Sequence, residues 1–183
     1  MTSGGALAGP FENEVTLSFE VNGRRVTRRG PGHLSLLRWL RDLVGVTDPK
    51  YGCGEGVCGS CAVQVDGQVV SSCIVLAAQV DGAKIETASG MCGDDGSLSG
   101  LQQAFHEHHA AQCGFCTPGM LMAAASLLED GRHRSRDEIR EALHGNLCRC
   151  TGYGPILDAI EAAQAGREAT GPRAGSETKL VAG

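Results

Sequence analysis

The stretch Gly52-Cys53-Gly54-Glu55-Gly56-Val57-Cys58-Gly59-Ser60-Cys61 sets three cysteines in a loop dense with glycine. A fourth, Cys73, follows a short alternating segment, so the set reads C-x4-C-x2-C-x11-C. Such a loop cannot be a helix or a regular strand. Gly52, Gly54, Gly56 and Gly59 allow φ values closed to other residues and a close approach of backbone to whatever the thiols surround. Backbone N–H groups turned inward would stabilise an anionic guest. Ala62–Val65, Asp66-Gly67 and Gln68–Ser72 read as a hairpin with an Asp-Gly turn, which returns the chain toward Cys73.

The first three spacings match those of plant-type 2Fe-2S sites, whose fourth thiolate lies further along the chain. Structural zinc also takes four thiolates, but from two short knuckles, and here three ligands crowd one loop. The loop therefore points to an iron–sulfur cluster.

The bulk properties agree with a metalloprotein. The chain has 183 residues, enough for one or two small domains. It is rich in Gly (27) and poor in aromatics, so its cores are small and a bound metal would help hold them. The net charge of −5 offers nothing to nucleic acid or an anionic membrane. Met1–Phe11 lacks the basic and apolar regions of a signal peptide. Met120–Leu128, the most apolar run, is too short to span a bilayer. A cytoplasmic protein is expected, and in a reducing compartment nine cysteines indicate metal ligation over disulfides.

Working outward, residues 1–12 read as a flexible leader. Glu14–Val21 alternates Val15, Leu17, Phe19 and Val21 with polar residues, a half-buried strand. Asn22-Gly23 turns it into a basic strand, Arg24–Arg29. Leu36, Leu37, Leu40 and Val44 predict a helix over 34–44. Ile74–Ala78 fits a short strand or helix, and Lys84–Ala88 a closing strand. The unit 13–90 is thus a mixed α+β domain. Beyond it the pattern is helical: 98–109; 118–130, with Thr117 as N-cap; a helix opened by the Ser135/Glu138 capping box and running to Leu143; and 155–165. Four short helices over 91–166 predict a compact bundle. Residues 167–183 read as a disordered tail.

The helical half holds a second cysteine set, Cys113-x2-Cys116 and Cys148-x-Cys150. Each pair precedes a helix, so two positive helix ends would converge on one anionic site. Taken alone, this spacing leaves both zinc and an iron–sulfur cluster open.

Three segments together, Gly52–Cys61, Gln112-Cys113-Gly114-Phe115-Cys116-Thr117-Pro118-Gly119 and Asn146-Leu147-Cys148-Arg149-Cys150-Thr151-Gly152-Tyr153, resemble the small iron–sulfur subunit of the molybdenum hydroxylases. That family includes xanthine dehydrogenase-like, aldehyde oxidoreductase-like and carbon monoxide dehydrogenase-like enzymes. The resemblance spans about residues 14–165. It implies an N-terminal β-grasp ferredoxin domain, a C-terminal four-helix bundle, and two 2Fe-2S clusters. One would be held by Cys53, Cys58, Cys61 and Cys73, the other by Cys113, Cys116, Cys148 and Cys150. It also implies that Gln112 and Cys150 touch the molybdenum–pterin cofactor of a large partner subunit. Electrons would pass from molybdenum through the second cluster and then the first to FAD on a medium subunit, in a heterotrimer or its dimer. With no segment long enough for a flavin or molybdenum domain, the resemblance is to the separate-subunit form. Substrate chemistry would belong to another chain. Glu55-Gly56-Val57 looks more like the xanthine dehydrogenase side, which implies an organic substrate such as a purine, an N-heteroaromatic or an aldehyde.

Other residues have plainer readings. Cys92 belongs to neither set and is expected to be a buried, inert thiol at the domain junction. His106 and His109 share a helix face with no third ligand, and with His108 are expected on a solvated surface. Phe115 and Leu147 are expected to pack around the second cluster, and Met120 and Met122 to be helix core. Arg149 could tune a cluster, meet a partner or form a surface salt bridge. Arg24, Arg25, Arg28 and Arg29 fit a solvated strand face or an acidic partner. Two rival functions remain: a free ferredoxin-type carrier, which has no use for the helical half, and a zinc-stabilised interaction module, which leaves the Gly-rich loop unexplained.

Overall fold

The computed structural model describes residues 14–170, with side chains described to residue 166. The expected leader, residues 1–12, and residues 171–183 lie outside the described residues.

Five strands form one mixed sheet: β1 (Glu14–Val21), β2 (Arg24–Pro31), β3 (Ala62–Val65), β4 (Gln68–Ser71) and β5 (Lys84–Glu86), in the order β2-β1-β5-β3-β4. β1 runs parallel to β5, and the other pairs are antiparallel. Both hairpins turn on residues that tolerate positive φ, Asn22-Gly23 and Asp66-Gly67. The alternation of β1 sends Leu17, Phe19 and Val21 into a core with Leu36, Trp39, Leu40, Val63 and Ile85. Phe19 meets Trp39 edge-on, with ring centroids 6.0 Å apart and planes at 88°.

The helix expected over 34–44 is α1 (Leu36–Arg38), which widens into a π-helical turn over Trp39–Val44. Ser35 caps it by accepting from the Arg38 N–H, and Gly45, at φ 86°, ends it. The wider turn buries Trp39 beside Leu36, Leu37 and Leu40, and its Nε1 donates to the Pro31 carbonyl at 3.0 Å. Over 74–78 the chain makes one bridge, Ser35 to Leu76, and then a 3-10 turn, Ala77–Val80.

Four helices follow: α2 (Gly100–Glu107), α3 (Thr117–Leu127), α4 (Arg136–Ala142) and α5 (Tyr153–Thr170). They share a second core built on Phe105, Met120, Met122, Ile139, Ile156 and Ile160. Ser99 and Gln102 form a capping box on α2, as Ser135 and Glu138 do on α4. The N-cap of α3 is Cys116, not Thr117; Thr117 is already helical, and its buried hydroxyl has no partner. α3 ends at Leu127, short of the expected Asp130, and Gly131 turns the chain at φ 70°. α5 begins at Tyr153 and runs to Thr170, so 167–170 continue a helix where a tail was expected.

β3 joins the halves. It is covered on both faces: Val63 belongs to the sheet core and Ala62 to the helical core. α3 packs against β3 and β4, which lays the second half on the sheet next to the Gly-rich loop.

Candidate iron–sulfur sites

The first site hangs on the β3–β4 hairpin. Its register pairs Ala62 with Ser71, so Cys61 and Cys73 flank the hairpin base. Buried Ser72 donates through Oγ to the Cys61 carbonyl at 2.6 Å, and its N–H to the same oxygen at 3.4 Å. The loop neck closes where the Lys50 N–H donates to the Ser60 carbonyl at 2.9 Å. Within the loop, the Cys53 N–H donates to Cys58 Sγ and the Glu55 N–H to Cys53 Sγ, both at 3.4 Å. Gly54, Gly56 and Gly59 all adopt positive φ, which is what lets these N–H groups face inward.

The thiols fall into two pairs. Cys53 and Cys58 interact, as do Cys61 and Cys73. The N–H groups of Glu55 and Val57 pull the Cys53 thiol down to about 6. Burial, and then Cys61, push Cys73 up to about 11. Backbone donors thus favour thiolate at one edge of the site, and burial shields the other.

The second site has the same plan. Cys113 interacts with Cys150, and Cys116 with Cys148. The Phe115 N–H lowers Cys113, burial raises Cys116 to about 12, and Cys113 raises Cys150. Cys116 stands at the N-cap position of α3, without a side-chain capping bond, and Cys150 three residues before the first residue of α5, so the segments leading into both helices supply the site. Thr151, at φ 56°, folds the C-x-C segment back on itself, and its N–H donates to the Cys148 carbonyl at 3.1 Å. The Tyr153 hydroxyl accepts from the Cys148 N–H at 2.8 Å. Exposed Gln112 lies over Gly152, where an added Cβ would be 3.5 Å from its Nε2 and 3.9 Å from Cys148 Sγ.

Two pairs of thiols suit a binuclear cluster, which takes four thiolates across two irons. A single zinc ion instead needs its ligands converging on one point. None of the nine cysteines forms a disulfide.

The two loops touch. Gly59 lies against Asn146 and the Gly145 carbonyl, and Gly119 against the Gly59 carbonyl. The Leu147 N–H donates to the Cys58 carbonyl at 3.0 Å. Asn146 and Tyr153 bound the third segment of the family resemblance but are not among the residues expected at the sites. No spacing signals them, because each acts on a partner brought near by folding.

Several expectations change. Phe115 and Leu147 are 46% and 54% exposed, beside Cys116 and Cys148 in the chain. Cys92 is partly buried, with Gln102 donating to its Sγ at 3.4 Å. α2 stops at Glu107, so His108 is its C-cap and His109 lies beyond at φ 51°; all three histidines are exposed. Arg149 is exposed. Arg29 pairs with Glu14 at 2.7 Å, and Arg28 donates to the Leu43 carbonyl at 3.2 Å, on a strand at the edge of the sheet. Met120 and Met122 are core. Among the described residues no helix is long and apolar enough to cross a membrane.

Comparison with known proteins finds two 2Fe-2S domains in the chain. Residues 19–93 match the model of the 2Fe-2S iron-sulfur cluster binding domain, and residues 87–161 match a second 2Fe-2S binding domain. The nicotine 6-hydroxylase small subunit of Paenarthrobacter nicotinovorans is 49% identical over 148 residues, 81% of this chain and 88% of that one. Caffeine dehydrogenase subunit gamma of Pseudomonas sp. (strain CBB1) is 46% identical over 79% of this chain and 88% of its own. A chain of quinoline 2-oxidoreductase from Pseudomonas putida 86 superposes with a TM-score of 0.80 at 44% identity, covering 84% of this chain and 96% of that one. With two consecutive 2Fe-2S domains and relatives matched over nearly their whole length, this chain belongs to the small iron–sulfur subunits of the molybdenum hydroxylases, a family of oxidoreductases.

Proposed function

We propose that this chain is the electron conduit of a cytoplasmic molybdenum hydroxylase. In this reading it joins a large molybdenum–pterin subunit and a medium FAD subunit in a heterotrimer or its dimer. Residues 13–90 act as a β-grasp ferredoxin domain and 91–166 as a four-helix bundle. Cys53, Cys58, Cys61 and Cys73 hold one 2Fe-2S cluster. Cys113, Cys116, Cys148 and Cys150 hold the other. When bound, each cluster supplies a one-electron redox centre.

The observation that carries the proposal is the paired arrangement of both cysteine sets, with the hydrogen bond from Leu147 to Cys58 between them. The residues of the chain do the holding. Inward N–H groups at Cys53 and Glu55 and the helix starts of α3 and α5 offset thiolate charge. The Ser72 hydrogen bonds hold Cys61 next to Cys73. Gln112 and Cys150 face the pterin of the large subunit, a role supported by the place of Gln112 beside the C-x-C loop. The direction of flow is from molybdenum to the second site, to the first, to FAD. The relatives named for nicotine, caffeine and quinoline support an N-heteroaromatic substrate, oxidised on the large subunit.

Purification with co-expressed neighbouring chains tests this. The expected complex is red-brown, contains a molybdenum chain and a flavoprotein, and has about four irons per copy of this chain. Two reduced-cluster EPR signals are expected; Cys113→Ser should remove one, and Cys58→Ser the other. A colourless zinc protein would overturn the cluster assignment. A stable monomer with two clusters and no partners would favour a free carrier.

A further inference from the structure

We propose that Tyr153 is a positioning residue that sets the reduction potential of the second cluster by withholding the Cys148 N–H from it. The inference rests on the reading of Cys113, Cys116, Cys148 and Cys150 as cluster ligands.

Hydrogen bonds aimed at cluster sulfurs stabilise the more negative, reduced state and raise the potential. The first site uses its backbone in that way: the N–H groups of Cys53 and Glu55 both donate to cysteine sulfurs. At Leu147 and Cys148 the backbone donors go elsewhere. The Leu147 N–H is taken by the Cys58 carbonyl at 3.0 Å, and the Cys148 N–H by the Tyr153 hydroxyl at 2.8 Å. The tyrosine hydroxyl in turn points its own proton at the Asn146 carbonyl, 3.5 Å away.

This arrangement is built by the fold around it. Thr151 turns the chain at positive φ, so that Tyr153, the first residue of α5, reaches back to a residue five positions earlier. A tyrosine can accept and donate at one oxygen, whereas phenylalanine can do neither. Removing the hydroxyl frees the Cys148 N–H, the donor of a residue that itself belongs to the second cysteine set. The reduced state gains a donor, and the potential moves up.

The test is an EPR-monitored redox titration of the cluster-loaded complex carrying Tyr153→Phe. The signal that Cys113→Ser abolishes should shift to a more positive potential, with the other signal unmoved. No shift in either signal would overturn the proposal, and so would an equal shift of both. Thr151→Gly eases the turn but keeps the hydroxyl, and should leave both potentials in place. An upward shift there equal to that of Tyr153→Phe would assign the effect to the loop and reject Tyr153. If Tyr153→Phe fails to load the second cluster, replacement of both tyrosines by 3-fluorotyrosine keeps the ring and weakens the acceptor. The second signal should then shift in the same direction by less, and an unmoved signal overturns the proposal. A wild-type chain with no second signal would instead reject the cluster reading itself.

Discussion

The backbone N–H of Leu147 donates to the carbonyl of Cys58 at 3.0 Å, so a residue adjoining one cysteine set is bonded directly to a member of the other. The two sites therefore meet through the backbone itself. That contact exists because Gly59 and Gly119 let the loops close on each other.

Gly119→Ala should open this seam. The added Cβ would overlap the carbonyl oxygen of Gly59, a backbone atom that cannot step aside. Overpacking of this kind costs about 1–3 kcal/mol. The apparent melting temperature of the loaded chain should fall, and the spin–spin interaction between the two reduced clusters should weaken. Gly100→Ala, with open space around the new Cβ, should not lower the melting temperature and should leave the spin–spin interaction unchanged.

Cys92→Ser should leave both EPR signals and the iron content unchanged. Cys92 exchanges weak hydrogen bonds with Gln102 and stands outside both sets of paired thiols. Loss of either signal would make it a ligand and would break the assignment of the other eight cysteines.

Ser135→Ala should cost about 1 kcal/mol of helix stability, because the hydroxyl accepts from the Glu138 N–H at the start of α4. Thermal unfolding followed by circular dichroism checks the size. The same box links stability to pH. The N–H and hydroxyl of Ser135 hold the Glu138 carboxyl below its usual range. The folded state therefore favours the ionised form, and the contribution is present above the unfolded pKa and is lost as pH falls through the folded one. Glu138→Gln should flatten that acid limb and leave stability at alkaline pH on the same slope as the parent.

Trp39→Phe should destabilise the sheet half by about 0.5–1.5 kcal/mol, the net loss of the Nε1 hydrogen bond to the Pro31 carbonyl, which keeps the Leu34 N–H as its other donor. Calorimetry of the loaded chain would register the loss. An unchanged melting temperature would mean that ring packing alone, chiefly against Phe19, holds the residue.

Much of this protein is written locally. The alternation of Leu17, Phe19 and Val21 made β1, and Asn22-Gly23 and Asp66-Gly67 placed both hairpin turns, because side-chain period and positive φ depend only on near neighbours. The capping box of Ser135 and Glu138 is legible for the same reason. The C-x4-C-x2-C run identifies a 2Fe-2S loop because three thiols on one short segment leave few other geometries.

What folding alone decided are relations between distant segments. The burial of Trp39 rests on a π turn set by the core it fills, so helical periodicity over 34–44 could not show it. Thr117 carries the composition of an N-cap, yet Cys116 takes that place, since the turn before α3 is shaped by the site it helps form. The pairing of Cys61 with Cys73 follows from the hairpin, and that of Cys113 with Cys150 from folding that brings together the segments before α3 and α5. Spacing counts residues along the chain. It has no access to the packing of α3 on β3 that presses Gly119 against Gly59, and it is this packing that brings Cys58 within one hydrogen bond of Leu147.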